Sequence, residues 1–492
     1  MNKIANPISS PPANQTGLEQ KIRALRKSRR KRRAKERGIA LIMVLGAIAV
    51  LTVMLADFQD ETSTELAAAV ADRDGVQAEF TARAATNLAR LLISSEPSIR
   101  AAITPLFAFL GKKPPQLPVW AFTDRFLGPF NDKEASKDFN QGLGLDLNAG
   151  KNLGLPEGMH FDLKIVDEDA KIDANLGASN DIAHIRLAQE LMSLMAPLQY
   201  NTMFETPDKR GNINDRPTIC AAMIDWADVD ESLFNCNVQA SSSGASSSGV
   251  EDAYYQLLPK PYRRKNAPYD SLEELHMVRG MTDDFWATFI DPDPEKPDKR
   301  VVTVWGQGAV NVNTANAQTL LGVVCAGAPA ADICIDPIQA GTFLTGVTMA
   351  RGISMGAPIF GSTGDFLDMM KGKGQMGTVL SAIGMKPVKF LSESEFLKSI
   401  TIESKMFSIY AIGQKKGFKR DTRIKVQTVV DFRLSTPITG QIPANGASPT
   451  GSASAAPTTA PAPSSSTGAP ADPNSALNQT NPAGQVVYFR ID

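Results

Sequence analysis

From Ile39 to Leu55 the chain carries no ionisable side chain, and directly before that run Arg29, Arg30, Lys31, Arg32, Arg33, Lys35 and Arg37 crowd together. A basic block followed by 17 uncharged residues is a membrane-targeting signal. As a helix rising about 1.5 Å per residue, the run covers roughly 26 Å, near the hydrocarbon thickness of a bilayer, about 30 Å. Asp57 closes it. A secretory signal peptide places its small residues after the apolar core. Here Gly38 stands before the core, immediately behind the basic block. An ordinary signal anchor with an incidental glycine is the alternative at this point.

Charge divides the chain in the same place. Residues 1–38 hold 12 Lys/Arg against 2 Asp/Glu, a net of +10, whereas the remainder holds 39 against 50, a net of −11. The positive-inside rule puts the basic leader in the cytoplasm and the acidic body on the far side of an inner membrane, which in a bacterium is the periplasm. Disulfides persist there. The four cysteines form two spaced pairs, Cys220 with Cys236 and Cys325 with Cys334. Neither is a CxxC, and three histidines are too few for a Cys/His zinc site. Two disulfides are the favoured reading, although four cysteines allow three pairings and free thiols.

With 492 residues the chain has room for two or three domains. Residues 1–20 read as disordered. A helix is expected from Ile39 to about Ser94, ahead of Pro97, amphipathic beyond the membrane through Leu66, Val70, Phe80, Ala84, Leu88, Leu91 and Leu92. Met159–Leu176 alternates and then turns at Glu168–Asp169, which predicts a hairpin. Helices are expected at 182–195, at 270–280 capped by Asp270 or Ser271, at 315–324 capped by Asn313 or Thr314, and at 364–371. The Ser-rich stretch 240–249 reads as a flexible loop. Strands are expected at 301–305, 407–413, 422–433 and 485–491, the last two joined by a Pro/Ala/Ser/Thr-rich segment unable to bury a core.

Several segments, taken in order, resemble the K-type minor pseudopilins of type II secretion systems. They are Glu36-Arg37-Gly38-Ile39-Ala40-Leu41-Ile42, Val166-Asp167-Glu168 with Ile172-Asp173-Ala174-Asn175, and Ile224-Asp225-Trp226-Ala227-Asp228-Val229-Asp230. Gly249-Val250-Glu251-Asp252, Asn266-Ala267-Pro268-Tyr269, Ser271-Leu272-Glu273-Glu274-Leu275, Val278-Arg279-Gly280-Met281-Thr282, Val310-Asn311-Val312-Asn313-Thr314-Ala315 and Phe407-Ser408-Ile409-Tyr410 follow. The long leader, the Ser-rich insert and the Pro-rich tail depart from the family pattern.

The resemblance implies an α+β fold: a pilin-like long N-terminal helix, a small antiparallel sheet and a large, mostly helical insertion domain. The expected layout is a leader 1–38, the long helix 39–95, a first pilin-like part 96–176, and an insertion 177–398 with helix-hairpin-helix-like elements. A second pilin-like part 399–435, a linker 436–484 and a final strand 485–492 complete it. The leader is similar to a prepilin-type signal, which implies cleavage after Gly38 by prepilin peptidase and N-methylation of Ile39. Pilins carry Glu at the fifth residue after that cut; here it is Met43. A carboxylate in lipid is costly unless paired, so Met43 fits a tip subunit with no neighbour above it. Implied partners are the other minor pseudopilins, the major pseudopilin and the inner-membrane secretion platform.

Asp225, Asp228, Asp230, Glu251 and Asp252 match family positions that imply structural calcium, a cation that takes six to eight oxygen ligands. The spacing is not that of an EF-hand. The Val278–Met281 and Val310–Ala315 segments also resemble DNA-binding helix-hairpin-helix turns, but Asp283, Asp284, Asp291, Asp293 and Glu295 follow the first of them and would repel phosphates. No nucleic acid is therefore expected as a partner. His160, His184 and His276 are isolated, and neither a nucleophile elbow nor a phosphate loop is present, so no catalysis is expected.

Overall fold

The computed structural model describes residues 14–109, 113–123, 155, 158–208, 211–237, 246–250, 252–354, 356–417, 420–435 and 481–492. By internal contacts the chain forms two units, Met1–Asp74 and Gly75–Asp492. The first is the N-terminal part of helix α1 (Asn14–Phe109). Its apolar residues, Ile39 to Leu55 among them, are exposed, and this is a helix long and apolar enough to cross a membrane.

Helix α1 is longer at both ends than the sequence suggests. It begins within the segment expected to be disordered, because Leu, Gln, Lys, Arg and Glu are all good helix formers. It also passes Pro97 and Pro105, each of which forfeits one backbone bond. Tertiary contacts hold the segment beyond Pro97. The Leu117 amide donates to Glu96 Oε1 (2.9 Å), and Arg100 pairs with Glu96 (3.4 Å) and Glu403 (2.6 Å).

In the second unit, β1 (Met159–Asp167) does not turn back on itself as a hairpin. The next strand, β2 (Ile172–Asp173), lies parallel to a remote segment, and the partner of β1 arrives some 240 residues later. After β2 come α2 (Asp181–Met195), α3 (Arg216–Ala227), β3 (Ser232–Phe234) and β4 (Ser246–Val250). Part of the Ser-rich stretch is thus a strand, paired antiparallel with β3. The expected helix at 270–280 is a 3-10 helix, Leu272–Met277, and Ser271 sits at its N-cap without a side-chain cap bond. The 301–305 strand contracts to β5 (Val302–Thr303), the parallel partner of β2.

Next come β6 (Val310–Asn311), α4 (Ala317–Gly327), α5 (Pro337–Ser354), α6 (Thr363–Met370) and α7 (Glu393–Ser399). Asn316, not Asn313 or Thr314, caps α4, accepting from the Thr319 amide at 2.7 Å. Asn313 is occupied elsewhere, accepting the Ile359 and Phe360 amides. The strand β7 (Ile400–Thr401), parallel to β6, leads to β8 (Met406–Lys416), β9 (Asp421–Asp431) and β10 (Gln485–Ile491).

The main sheet has the order β1-β8-β9-β10, antiparallel throughout, with a bulge between Val486 and Tyr488. One face carries Phe161, Ile165, Phe407, Ile409, Ala411, Val426 and Val430 and packs on Ala82, Ala85, Ala89 and Ile93 of α1. Alternation supplies the sheet face, and alanines at helical spacing supply the matching stripe. At Gly413 the approach is so close that a Cβ would lie 1.9 Å from the Ala78 carbonyl oxygen. The larger core belongs to the insertion. There α2 packs against α3 and α4 through Leu187, Leu191, Leu194, Ile224, Leu320 and Val324.

Candidate functional site

Four of the five predicted acidic residues meet around a guanidinium that the sequence reading did not single out. Asp225 lies in the last turn of α3, and Asp228 is its C-cap. The Asp225 carboxylate accepts the Phe234 amide (2.9 Å), which fastens β3 to the helix end. Asp230 accepts the Ser232 amide (2.6 Å). Into this turn comes the buried Arg264, donating to the Asp225 carbonyl (2.5 Å) and through Nε to Asp252 Oδ1 (3.1 Å), and standing 3.8 Å from Asp228 Oδ1. Arg263-Arg264-Lys265 was visible as a basic triplet, but only the fold brings its middle member inward. Glu251 lies outside the described residues.

Burial pushes the Asp225 carboxyl up to about 7, with Asp228 adding to the effect and Arg264 opposing it. Burial, reinforced by Asp230, does the same to Asp228, also to about 7. Asp228 Oδ1 is buried without a hydrogen-bond partner. The turn thus sets Asp225, Asp228 and Asp252 against a single guanidinium, Arg264. Among the described residues, no three His, Cys, Asp or Glu side chains converge closely enough to hold a metal ion.

A second cluster gives the Val166–Asn175 motif its physical meaning. Asp167 Oδ2 accepts the hydroxyls of Thr314 and Ser404, each at 2.5 Å. The Asp169 carboxylate accepts the amides of Gln307 (2.9 Å), Lys405 (2.6 Å) and Met406 (3.0 Å), while its carbonyl accepts that of Asn311 (2.7 Å). Glu168 and Lys171 form a buried ion pair at 2.8 Å, and Thr303 also donates to Glu168. Asn175 accepts the Tyr269 amide and donates to the Val304 carbonyl.

The end of β1 is thereby bolted to the segments holding β5 and β6 and to the start of β8. Burial drives Asp167 and Asp173 up to about 6 each, and raises Asp169 well above its ordinary range with help from the Asp167 charge. Burial also pushes on Glu168, but the Lys171 charge and hydrogen bond prevail and hold it low.

The remaining predicted positions fall apart from one another. Met43 is exposed on the apolar part of α1, and the backbone passes helically through Gly38 and Ile39. Both disulfides form, Cys220–Cys236 and Cys325–Cys334. His184 meets Phe234 edge-on, His276 stacks on Trp286 with centroids 3.6 Å apart, and His160 is on β1. The Val278–Met281 turn has Gly280 at φ 84, but Val310–Asn311 is a strand rather than part of a helical hairpin.

Residues 212–290 match the family model described as Type II secretion system (T2SS), protein K. The matched segment runs from the approach to α3 past Arg264 to the Trp286 turn, so it contains the acidic turn just described. Over these residues the match bears out the resemblance drawn from the sequence. Among solved structures, the chain is similar to a component of the GspK-GspI-GspJ complex of the enterotoxigenic Escherichia coli type 2 secretion system. The identity is 13%, over 56% of this chain and 75% of that one, with a TM-score of 0.33. No curated protein matches the chain.

Proposed function

We propose that this chain, a relative of type II secretion protein K, works as a minor pseudopilin at the tip of a periplasmic pseudopilus. In this role it initiates assembly with other minor pseudopilins, and the assembled pseudopilus supports protein export across the outer membrane. The match over residues 212–290 carries the reading. Three features support it: the apolar segment Ile39–Leu55 of α1 behind a basic stretch, the alanine stripe packed on a four-stranded sheet, and Met43 where a glutamate would need a partner in lipid. The helical insertion, set between β1 and β8, supplies bulk that would oppose addition of another subunit above it.

Prepilin peptidase cuts after Gly38 in this account, and Ile39 becomes the methylated N-terminus of a single-pass inner-membrane subunit whose body is periplasmic. Mass spectrometry of the chain co-expressed with prepilin peptidase tests it, beside a Gly38→Ala control. An N-methylated Ile39 that disappears in the control is the expected result, and an intact leader in both samples would sink the proposal.

Asp225, Asp228, Asp230 and Asp252 are proposed to draw calcium to the end of α3, where binding requires these carboxylates, which do not converge on one point in this structure, to close on the ion; the family resemblance adds Glu251, which lies outside the described residues. Thermal unfolding at pH 7.5, chosen because it lies just above the value of about 7 for both carboxyls, should shift upward with calcium relative to chelator. Asp228→Asn should abolish most of that shift. An equal shift in the variant would remove Asp228 from the site.

A further inference from the structure

Strand β10 joins the sheet after a connection of 45 residues, 436–480, rich in Pro, Ala, Ser and Thr. In a short hairpin the turn fixes the register by its length. A connection this long fixes none, since closing it costs little more for one register than for the next. The register of β10 is therefore read from β10 itself, and the readers are visible. At its entry Gly484 has φ 73, and a Cβ there would lie 2.6 Å from Val430 Cγ1. Arg90 of α1 donates to the carbonyls of Ala483 and Gly484, at 2.8 Å each. The bulge between Val486 and Tyr488 resets the alternation, and the next two side chains fall on opposite faces. Tyr488 packs on Trp305 of the insertion, with centroids 5.2 Å apart, and Arg83 of α1 covers the Phe489 ring at 5.1 Å. Arg490 pairs with Glu273 at 2.6 Å, and Asp492 exchanges backbone bonds with Lys425 (2.8 and 3.0 Å).

We propose that the edge of β9 opposite β8, flanked by Arg83, Arg90, Trp305 and Glu273, is a strand-binding site in its own right, with β10 as its tethered ligand. The site recognises an extended segment of defined pattern: a glycine at the entry, two consecutive aromatic side chains after the bulge, and a cation next to them. Ladder bonds to β9 supply affinity that any strand would share, and the four flanking side chains supply choice. Attachment through 436–480 contributes an effective concentration, on the order of millimolar in linked systems, rather than the register. A strand of the same pattern from another polypeptide fits the site whenever β10 leaves it. Because the contacts reach α1, the sheet and the insertion at once, occupancy also ties these three together. The proposal stands independently of tip assembly.

The test cuts the connection in the folded full chain. A recognition site for a sequence-specific protease, inserted between Thr459 and Ala460, is cleaved after purification in detergent. Size-exclusion chromatography, with mass spectrometry of the peak, reports whether the fragment carrying β10 stays with the chain. Retention is expected, with an affinity, read from a dilution series, that Tyr488→Ala/Phe489→Ala weakens at least about tenfold. Shuffling residues 485–491 at constant composition should weaken it as much, because the pattern rather than the apolar content is read. Circular dichroism of the uncut variants guards against misfolding. Loss of the wild-type fragment on cleavage would mean that attachment holds β10 in place, and would overturn the proposal. Retention of either altered fragment as firmly as the wild type would reduce recognition to backbone pairing and overturn it as well.

Discussion

Glu190 sits on α2, fully enclosed, with Oε1 lacking any hydrogen-bond partner. Burial pushes its carboxyl up to about 8, against the pull of Arg186. The folded state therefore keeps a proton that the unfolded chain releases near pH 4.5. That contribution to stability is present below the unfolded value and is lost as pH rises through about 8. Glu190→Gln should flatten the fall between pH 5 and 8 and stabilise the protein at pH 8 by an amount on the order of a few kcal/mol, measurable by urea unfolding. The Lys171–Glu168 pair gives the opposite lesson. Lys171→Met leaves a carboxylate buried alone and should cost about 3–5 kcal/mol, whereas adding Glu168→Gln should recover much of the loss. If the double variant is as unstable as the single, the ion pair is not what holds the junction.

Contact between elements is decided at a few small residues. Gly413→Ala would drive a methyl group into the Ala78 carbonyl, forcing β8 off α1. Its cost should reach the top of the about 1–3 kcal/mol usual for overpacking. Gly341→Ala, on α5 with nothing within 4 Å of the added carbon, should be neutral or stabilising by about 0.5–1 kcal/mol. Thermal unfolding of the two variants checks the contrast. Elements that announce themselves locally were legible in the sequence: the apolar run of α1, the Asn180-capped helix α2, and the alternating β8, β9 and β10. The hairpin expected at 159–176 was not, because alternation reveals that a strand exists but not its partner, here supplied from Met406–Lys416. The acidic turn was legible as carboxylates and illegible as a site, since Arg264 reaches it only through the fold. Likewise Asn313 has the chemistry of a cap, and nothing local says that Phe360 claims it first.

Across the whole molecule, the charge division has a direct readout. The segment after Gly38 carries a net of −11, so duplex DNA at about 50 mM salt should show no retardation by that segment freed of the basic leader, where a phosphate-binding module would give strong, salt-sensitive binding. Retardation that falls steeply with salt would revive a helix-hairpin-helix role.

Asp167 and Phe407 stand opposite each other on neighbouring antiparallel strands. The insertion between them, from Glu168 to Lys405, is in topological terms the loop of a single hairpin. A module whose two ends leave the scaffold one strand spacing apart is a graft: it can lengthen, shrink or be exchanged without altering any pairing within the sheet. Lineages of such proteins are therefore free to remodel what the insertion presents while inheriting the scaffold unchanged, and a short turn in place of the graft leaves β1 and β8 every ladder partner they have now.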